Sequence, residues 1–427
     1  MRVGAAAVEI PAHDSMIIGG SILARYVKGQ EGKLRATAVV LRSAENTPPL
    51  AMVACDVLML ERDILDAACD EITRLSSIPS SHILINATHT HSAPSSCTVH
   101  GYPRDEKFVQ AAKASIVDAV MQAHKRCMES TPGAMEFCLG EESSAGRNSR
   151  ILLDDGTIFW TGDKTGMLRP TGPFDPQLPV IAFRKADRGL AALIFGHSTH
   201  TIGTVKGAVR SPSFYGLAAQ ELEQELGGTA LFVEGASGST HNLDLPAAEC
   251  LLRVKAAVHA ALRKTTPVKV TRLASLKREI EVTVRKFDEA ADDKAVADYC
   301  NKRLDPKVAP STIEVFRTMR KNLAPRQGEV RKTWVQAVVI GDIAWVGVPA
   351  EFFTVLGQDI KRRSPYRHTF IAELANDWIG YVGNAEAYDL GGYQTWTGYH
   401  SWVERGTGEK IVDAAVGLLV ELRGSER

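Results

Sequence analysis

Ile83-Leu84-Ile85-Asn86-Ala87-Thr88-His89-Thr90-His91-Ser92-Ala93-Pro94 runs a short apolar strand straight into two histidines. The apolar residues Ile83–Ile85, two of them β-branched, read as a buried strand. His89 and His91 lie two residues apart, so their side chains share a face as long as extended geometry persists. At least one of them then suits a metal, because neutral imidazole is a standard ligand for zinc and its neighbours. The competing reading is a polar strand end facing solvent. Context favours the ligand reading, since α/β proteins gather binding groups just beyond the carboxyl ends of buried strands.

Outward from this stretch, strands and helices alternate along the chain. Residues 35–42 and 50–60 read as strands joined by a turn at Asn46–Pro49. Val109, Ala112, Ile116, Val120 and Ala123 recur at helical spacing and predict a helix near 106–126. A second helix is expected near 216–226, with Ala218, Leu222 and Leu226 on one face and Gly227-Gly228 as its stop. Leu231-Phe232-Val233 reads as a strand, followed by a Gly/Ser loop and a helix near 246–263. Residues 335–348 read as a hairpin turning at Gly341-Asp342. The charged stretch 285–332 has helical character and few large apolar residues, and reads as an insertion or lid within one continuous domain spanning 1–427.

The chain has 427 residues, with 50 Lys+Arg against 50 Asp+Glu, and that balance argues against a nucleic-acid-binding surface. At 44% hydrophobic and 23% charged residues, it is ordinary globular material. Its 7 cysteines are scattered with no C-x-x-C pair, which fits free thiols in a reducing compartment better than a disulfide framework. No run is long and apolar enough for a signal peptide or a membrane span, so a cytoplasmic location without stable membrane association is expected.

Three further segments carry chemistry. His197-Ser198-Thr199-His200 follows another apolar run, Ala191–Phe195, and repeats the strand-then-histidine pattern. Glu351 lies among apolar residues in Val348-Pro349-Ala350-Glu351-Phe352-Phe353, where an unpaired carboxylate is costly to bury. It reads equally as a metal ligand and as a helix-start glutamate after proline. The loop Glu234–Asn242 misses the G-x-S-x-G serine elbow, because Ser239 stands where its second glycine belongs. The stretch Tyr381–Trp402 is dense in aromatics and interspersed with Gly, Asp and Thr, as in a pocket-lining loop.

Taken in this order, the segments resemble the catalytic domain of the neutral/alkaline non-lysosomal ceramidase family. Gly4–Pro11, Arg35–Leu41 and Cys55-Asp56-Val57 are similar to its opening blocks, and Ala87–Pro94 is nearly identical to its A-T-H-T-H-S-x-P signature. Leu193–His197, Val348–Phe353 and Gly406-Thr407-Gly408-Glu409 resemble later blocks. The resemblance implies an α/β fold of layered mixed β-sheets flanked by helices. It also implies one zinc ion per chain, other divalent metals being admitted, held by His89, His197, Glu351 and Tyr381. The tyrosine follows from the family's twelve-residue interval between two active-site tyrosines, which Tyr381 and Tyr393 keep. His91 would contact substrate or move a proton, and Tyr393 would donate to a developing oxyanion.

The chain departs from the family at several positions. Asn148-Ser149-Arg150 replaces the family's Asn-Arg motif, so the active-site arginine is either displaced to Arg147 or lost. His241 stands roughly at the family's loop serine, and Ala350 replaces the glycine before the metal glutamate. No counterpart of the family's signal peptide or C-terminal β-domain is expected. The expectation is a zinc-dependent hydrolase whose activated water attacks an amide or related acyl carbon in a small polar compound rather than ceramide. Asp56, Asp377 and Glu234 are candidates to orient the ligand histidines. A metal-dependent lyase or isomerase on a sugar-like substrate, and a catalytically silent binding protein, are the alternatives. A small-molecule partner is expected, nucleic acid is not, and a homo-oligomer is admitted.

Overall fold

The structure, a computed structural model, describes residues 1–44 and 47–425. Asn46, in the expected turn Asn46–Pro49, lies outside the described residues. Three sheets form the framework. The first orders strands Arg2–Glu9, Arg35–Arg42, Leu50–Cys55 and Ile83–Ala87. The second orders Thr229–Glu234, Leu190–His197, Gln177–Arg184, Ala134–Glu141 and Thr266–Val268. The third orders Leu273–Thr283, Val330–Ile340, Ile343–Gly347 and His368–Ala372.

The period-2 alternation of the strands explains how the sheets stack. One face of each contributes to a shared central core: Val39 and Leu41 from the first, Ile181 and Ile194 from the second, Val338 and Trp345 from the third. The alternate residues face helices. Val40 meets Arg62–Ser76 and Glu106–Glu129, and Val180 and Phe195 meet Ser213–Leu226 and Ala247–Leu262. Val339 meets Ala309–Leu323, Thr354–Arg363 and Thr407–Gly424. Each large apolar side chain buried in this way contributes roughly 1.5–3 kcal/mol. The result is the expected α/β architecture of layered mixed sheets flanked by helices.

The element predictions fare unevenly at their edges. Strand 35–42 has the expected bounds. The 50–60 strand stops at Cys55, because Asp56 turns aside to accept the Arg35 backbone N–H at Oδ2 (3.0 Å) and the Thr88 hydroxyl at Oδ1 (3.1 Å). The hairpin turns at Gly341, whose φ of 63° pairs Ile340 with Ile343. Residues 285–332 carry two helices, Glu289–Arg303 and Ala309–Leu323, between strands that pair along their whole length.

Each of the three sheets contains one parallel pair: Leu50–Cys55 with Ile83–Ala87, Leu190–His197 with Thr229–Glu234, and Ile343–Gly347 with His368–Ala372. The loops that leave the carboxyl ends of these pairs carry Asp56, His89, His200, Glu351, Glu373 and Tyr381. Three sheets therefore deliver polar side chains to one place.

Candidate metal centre

His89 leaves the first sheet on a backbone turned to φ 59°, a left-handed conformation that is unusual for a residue other than glycine. Backbone hydrogen bonds on either side, Thr88 N–H to Cys55 O (2.9 Å) and Thr90 N–H to Val57 O (3.2 Å), hold it there. The second sheet is tied on by His91 N–H to Thr201 O (3.2 Å) and by the Thr90 hydroxyl to Ser211 O (2.7 Å). Glu351 and Tyr381 arrive as register partners in a two-residue parallel pairing of Glu351–Phe352 with Tyr381–Val382.

The result is a cluster of three imidazoles, His89, His91 and His200, whose ligand nitrogens lie within 4.8 Å of one another. His89 Nε2 is 3.0 Å from His200 Nε2 and 3.2 Å from His91 Nε2. Each ring's Nδ1 faces a backbone carbonyl: Leu58 O (2.9 Å) for His89, Ser237 O (3.0 Å) for His200 and Gly20 O (3.3 Å) for His91. A carbonyl only accepts, so each Nδ1 carries the hydrogen and each Nε2 of the neutral ring presents a lone pair. The lone pairs of His91 and His200 then both face that of His89, an arrangement that repels unless a cation, or a proton on His89 favoured by Glu351, lies between them. Glu351 adds to it, with Oε2 3.4 Å from His89 Nε2 and 3.5 Å from His200 Nε2, while Oε1 accepts the Trp378 indole N–H (3.2 Å). The Tyr381 hydroxyl is 3.0 Å from His200 Nε2. This donor set of imidazole, carboxylate and phenol oxygen fits a divalent cation such as zinc.

The electrostatics agree. Burial, then the neighbouring His89 and His200, hold the His91 imidazole well below its ordinary pKa, so the ring is neutral at pH 7. Burial opposes charge on Glu351, yet His200 and His89 beside it hold its carboxyl well below the usual range. Burial first, and Glu351 second, push Tyr381 and Tyr393 well above the usual phenol range. Tyr393 therefore keeps its proton. Its hydroxyl lies 3.1 Å from His100 Nε2, and its ring stacks on Trp160 (4.6 Å, 7°) and His400 (4.9 Å, 18°).

His91, His200, Tyr381 and Tyr393 line a cavity of about 540 Å³, together with Arg25, Lys164 and His241. Ser21, Ser149, Thr161 and Gln394 add polar groups to a wall that also carries Ile22, Phe159, Trp160, Ile202 and Leu243.

In sequence, no family model and no curated protein matches the chain. In structure, the chain is similar to neutral ceramidase from Pseudomonas aeruginosa, with a TM-score of 0.75 at 19% identity over 99% of this chain and 74% of that one. A ceramidase described as complexed with C2 gives 0.73 at 18% identity, covering 99% and 75%. The fold is neutral-ceramidase-like.

On this ceramidase-like fold, several expected site residues fall elsewhere. His197 is not among the clustered imidazoles. Its Nδ1 meets the Tyr215 hydroxyl (2.5 Å) and its Nε2 the Glu142 carbonyl (2.9 Å), which leaves neither nitrogen free for a metal. His200, three residues on, stands in the cluster instead. Arg147 is exposed and is not among the residues of the cavity wall. Arg150 is buried, but its guanidinium is engaged by Gln394 Oε1 (3.0 Å) and the carbonyls of Ala387 (3.1 Å) and Gly391 (2.7 Å). His241 does line the cavity, with Nδ1 accepting the Leu243 N–H (2.6 Å). Asp56, Asp377 and Glu234 do not orient the ligand rings, because backbone carbonyls hold them. Asp377 instead accepts from Arg62 N–H (3.1 Å), Trp378 N–H (2.7 Å) and the Thr333 hydroxyl (2.7 Å), and Glu234 from the Thr201 hydroxyl (2.9 Å). Sequence reasoning missed His100, Arg25 and Trp160. No local signal marks them, for each is a lone residue brought in by tertiary packing.

Proposed function

We propose that the chain is a metal-dependent hydrolase acting on a small polar amide or related acyl compound, with zinc as the ion. The observation that carries this reading is the convergence of three imidazoles with Glu351 and Tyr381 beside a cavity of mixed polar and apolar lining. His89, His200, Glu351 and Tyr381 would hold the ion. A bound zinc ion supplies Lewis acidity and brings the pKa of a water towards about 7.

The other residues have separable tasks. His91, neutral and with its Nε2 lone pair in the cluster, takes a proton at that atom and keeps its ring orientation through the Gly20 carbonyl. Tyr393, held protonated, donates to the oxygen that gains charge as the acyl carbon becomes tetrahedral. His241, with Nδ1 occupied as an acceptor, offers Nε2–H as a donor to substrate. Arg25 is fixed by Ser21 Oγ (2.7 Å) and the His91 carbonyl (2.5 Å), so its guanidinium couples the cavity wall to the histidine segment.

The mixed lining, which sets Arg25, Lys164, His241 and Gln394 beside apolar side chains, supports a compact, hydroxylated or amide-bearing substrate. Among the described residues, no helix is long and apolar enough to cross a membrane. The cysteines are all free, which fits a reducing compartment. Incubating zinc-loaded protein with N-acylated compounds, lactones and glycosides in heavy-oxygen water tests the reading. Chelator-sensitive release of label-bearing carboxylate is the expected result. Turnover of a substrate with no label incorporated would assign a lyase or isomerase instead.

A further inference from the structure

Arg285 lies just beyond the strand Leu273–Thr283, its backbone N–H held by Trp402 O (2.9 Å). A guanidinium carries five donors and a charge that it never gives up. Here Nε and Nη2 are buried without a partner, and among the described residues the guanidinium makes no hydrogen bond or ion pair. Its guanidinium carbon lies 5.8 Å from the Tyr388 ring, and the Tyr388 hydroxyl is itself buried without a partner.

Most of the charges around it have hydrogen-bonded partners of their own. Lys302 and Arg303 share Asp155 (2.6 and 3.3 Å), Asp298 takes Lys294 (2.5 Å), and Asp292 accepts the Thr397 hydroxyl (2.5 Å). A buried cation without a hydrogen-bonded partner is costly: Asp292 favours the charge from a distance, but among the described residues no protein carboxylate hydrogen-bonds this guanidinium.

We propose that the cavity of about 660 Å³ lined by Arg285, the helix Glu289–Arg303, Gly391, Gly392 and Thr395–Thr397 is a second binding site, taking a small organic anion whose carboxylate or phosphate pairs with Arg285 and whose apolar body lies on Phe287, Tyr299 and Trp396. Its size falls in the range of roughly 300–1,000 Å³ that small-molecule sites occupy. The aromatic wall is preformed, with Trp396 edge-on to Tyr299 at 5.2 Å. The site is distinct from the metal centre. Tyr393 and Gln394 face the first cavity, whereas Thr395, Trp396 and Thr397 face the second, so one short segment separates the two.

Calorimetric titration of the full chain with benzoate and, separately, with phenyl phosphate tests the proposal, and the probe that binds identifies the acidic head. Saturable binding with Kd below about 1 mM is expected for at least one probe, weakened about tenfold or more in Arg285→Met. Ala295→Glu, at an exposed helical position on the same wall, sets a like charge against the ligand and should weaken binding similarly even if Arg285→Met does not fold. The proposal is overturned if neither probe saturates by about 10 mM. It is equally overturned if the folded variants bind as the parent does.

Discussion

His197 and His200 lie three positions apart, and what each ring nitrogen meets decides its role. His197 is a buried structural group, tied to Tyr215 and Glu142. Replacing it with Ala strands both partners, so His197→Ala should lose on the order of 1–3 kcal/mol in urea unfolding while keeping its metal. The sequence could not separate the pair, since both follow one apolar run and their difference lies in partners from distant segments. His89 and His91 were legible because the strand before them is short and their spacing is local. Asp377 is a residue-scale case with a pH signature. Burial raises its carboxyl from 3.8 to about 6. The folded state therefore binds the proton more tightly than the unfolded one, so its contribution is full below pH 3.8 and is lost as pH rises through about 6. Asp377→Asn removes that loss. Its stability relative to the parent should rise by on the order of 2–3 kcal/mol between about pH 4 and pH 7. A difference that stays flat with pH would contradict the assignment.

At the scale of elements, the helices and hairpin were readable from apolar period and glycine placement. The pairing of Glu351–Phe352 with Tyr381–Val382 was not. It is two residues long and joins segments remote in sequence, so neither periodicity nor turn chemistry announces it. Gly238 polices this pairing. It donates its N–H to Phe352 O (3.0 Å), and a Cβ there would overlap the Glu351 carbonyl. Gly238→Ala should therefore displace Glu351, weaken metal affinity by about tenfold or more, and cost roughly 1–3 kcal/mol through overpacking. Metal titration alongside thermal melting checks both. Unchanged affinity would mean that Glu351 is not held by this strand pair.

For the whole molecule, three sheets each place the carboxyl end of one parallel pair at the same centre, and a bound ion would tie them together. Such an ion stabilises only the folded state, by about 2.7 kcal/mol at a free concentration one hundred times its Kd. Chelation should accordingly lower the melting temperature, and zinc should restore it. The layered α/β class was legible through the family resemblance carried by Ala87–Pro94 and the order of the later blocks. Convergence of the sheets was not, because it depends on long-range pairing rather than local pattern. The most direct test of the account is the metal content of purified protein, compared across the parent, His200→Ala and His197→Ala. The account predicts about one equivalent of divalent metal in the parent and in His197→Ala. It predicts a fall in affinity for His200→Ala beyond the roughly 10–100-fold that follows loss of an outer supporting group. Full metal retention in His200→Ala, with loss in His197→Ala, would contradict it.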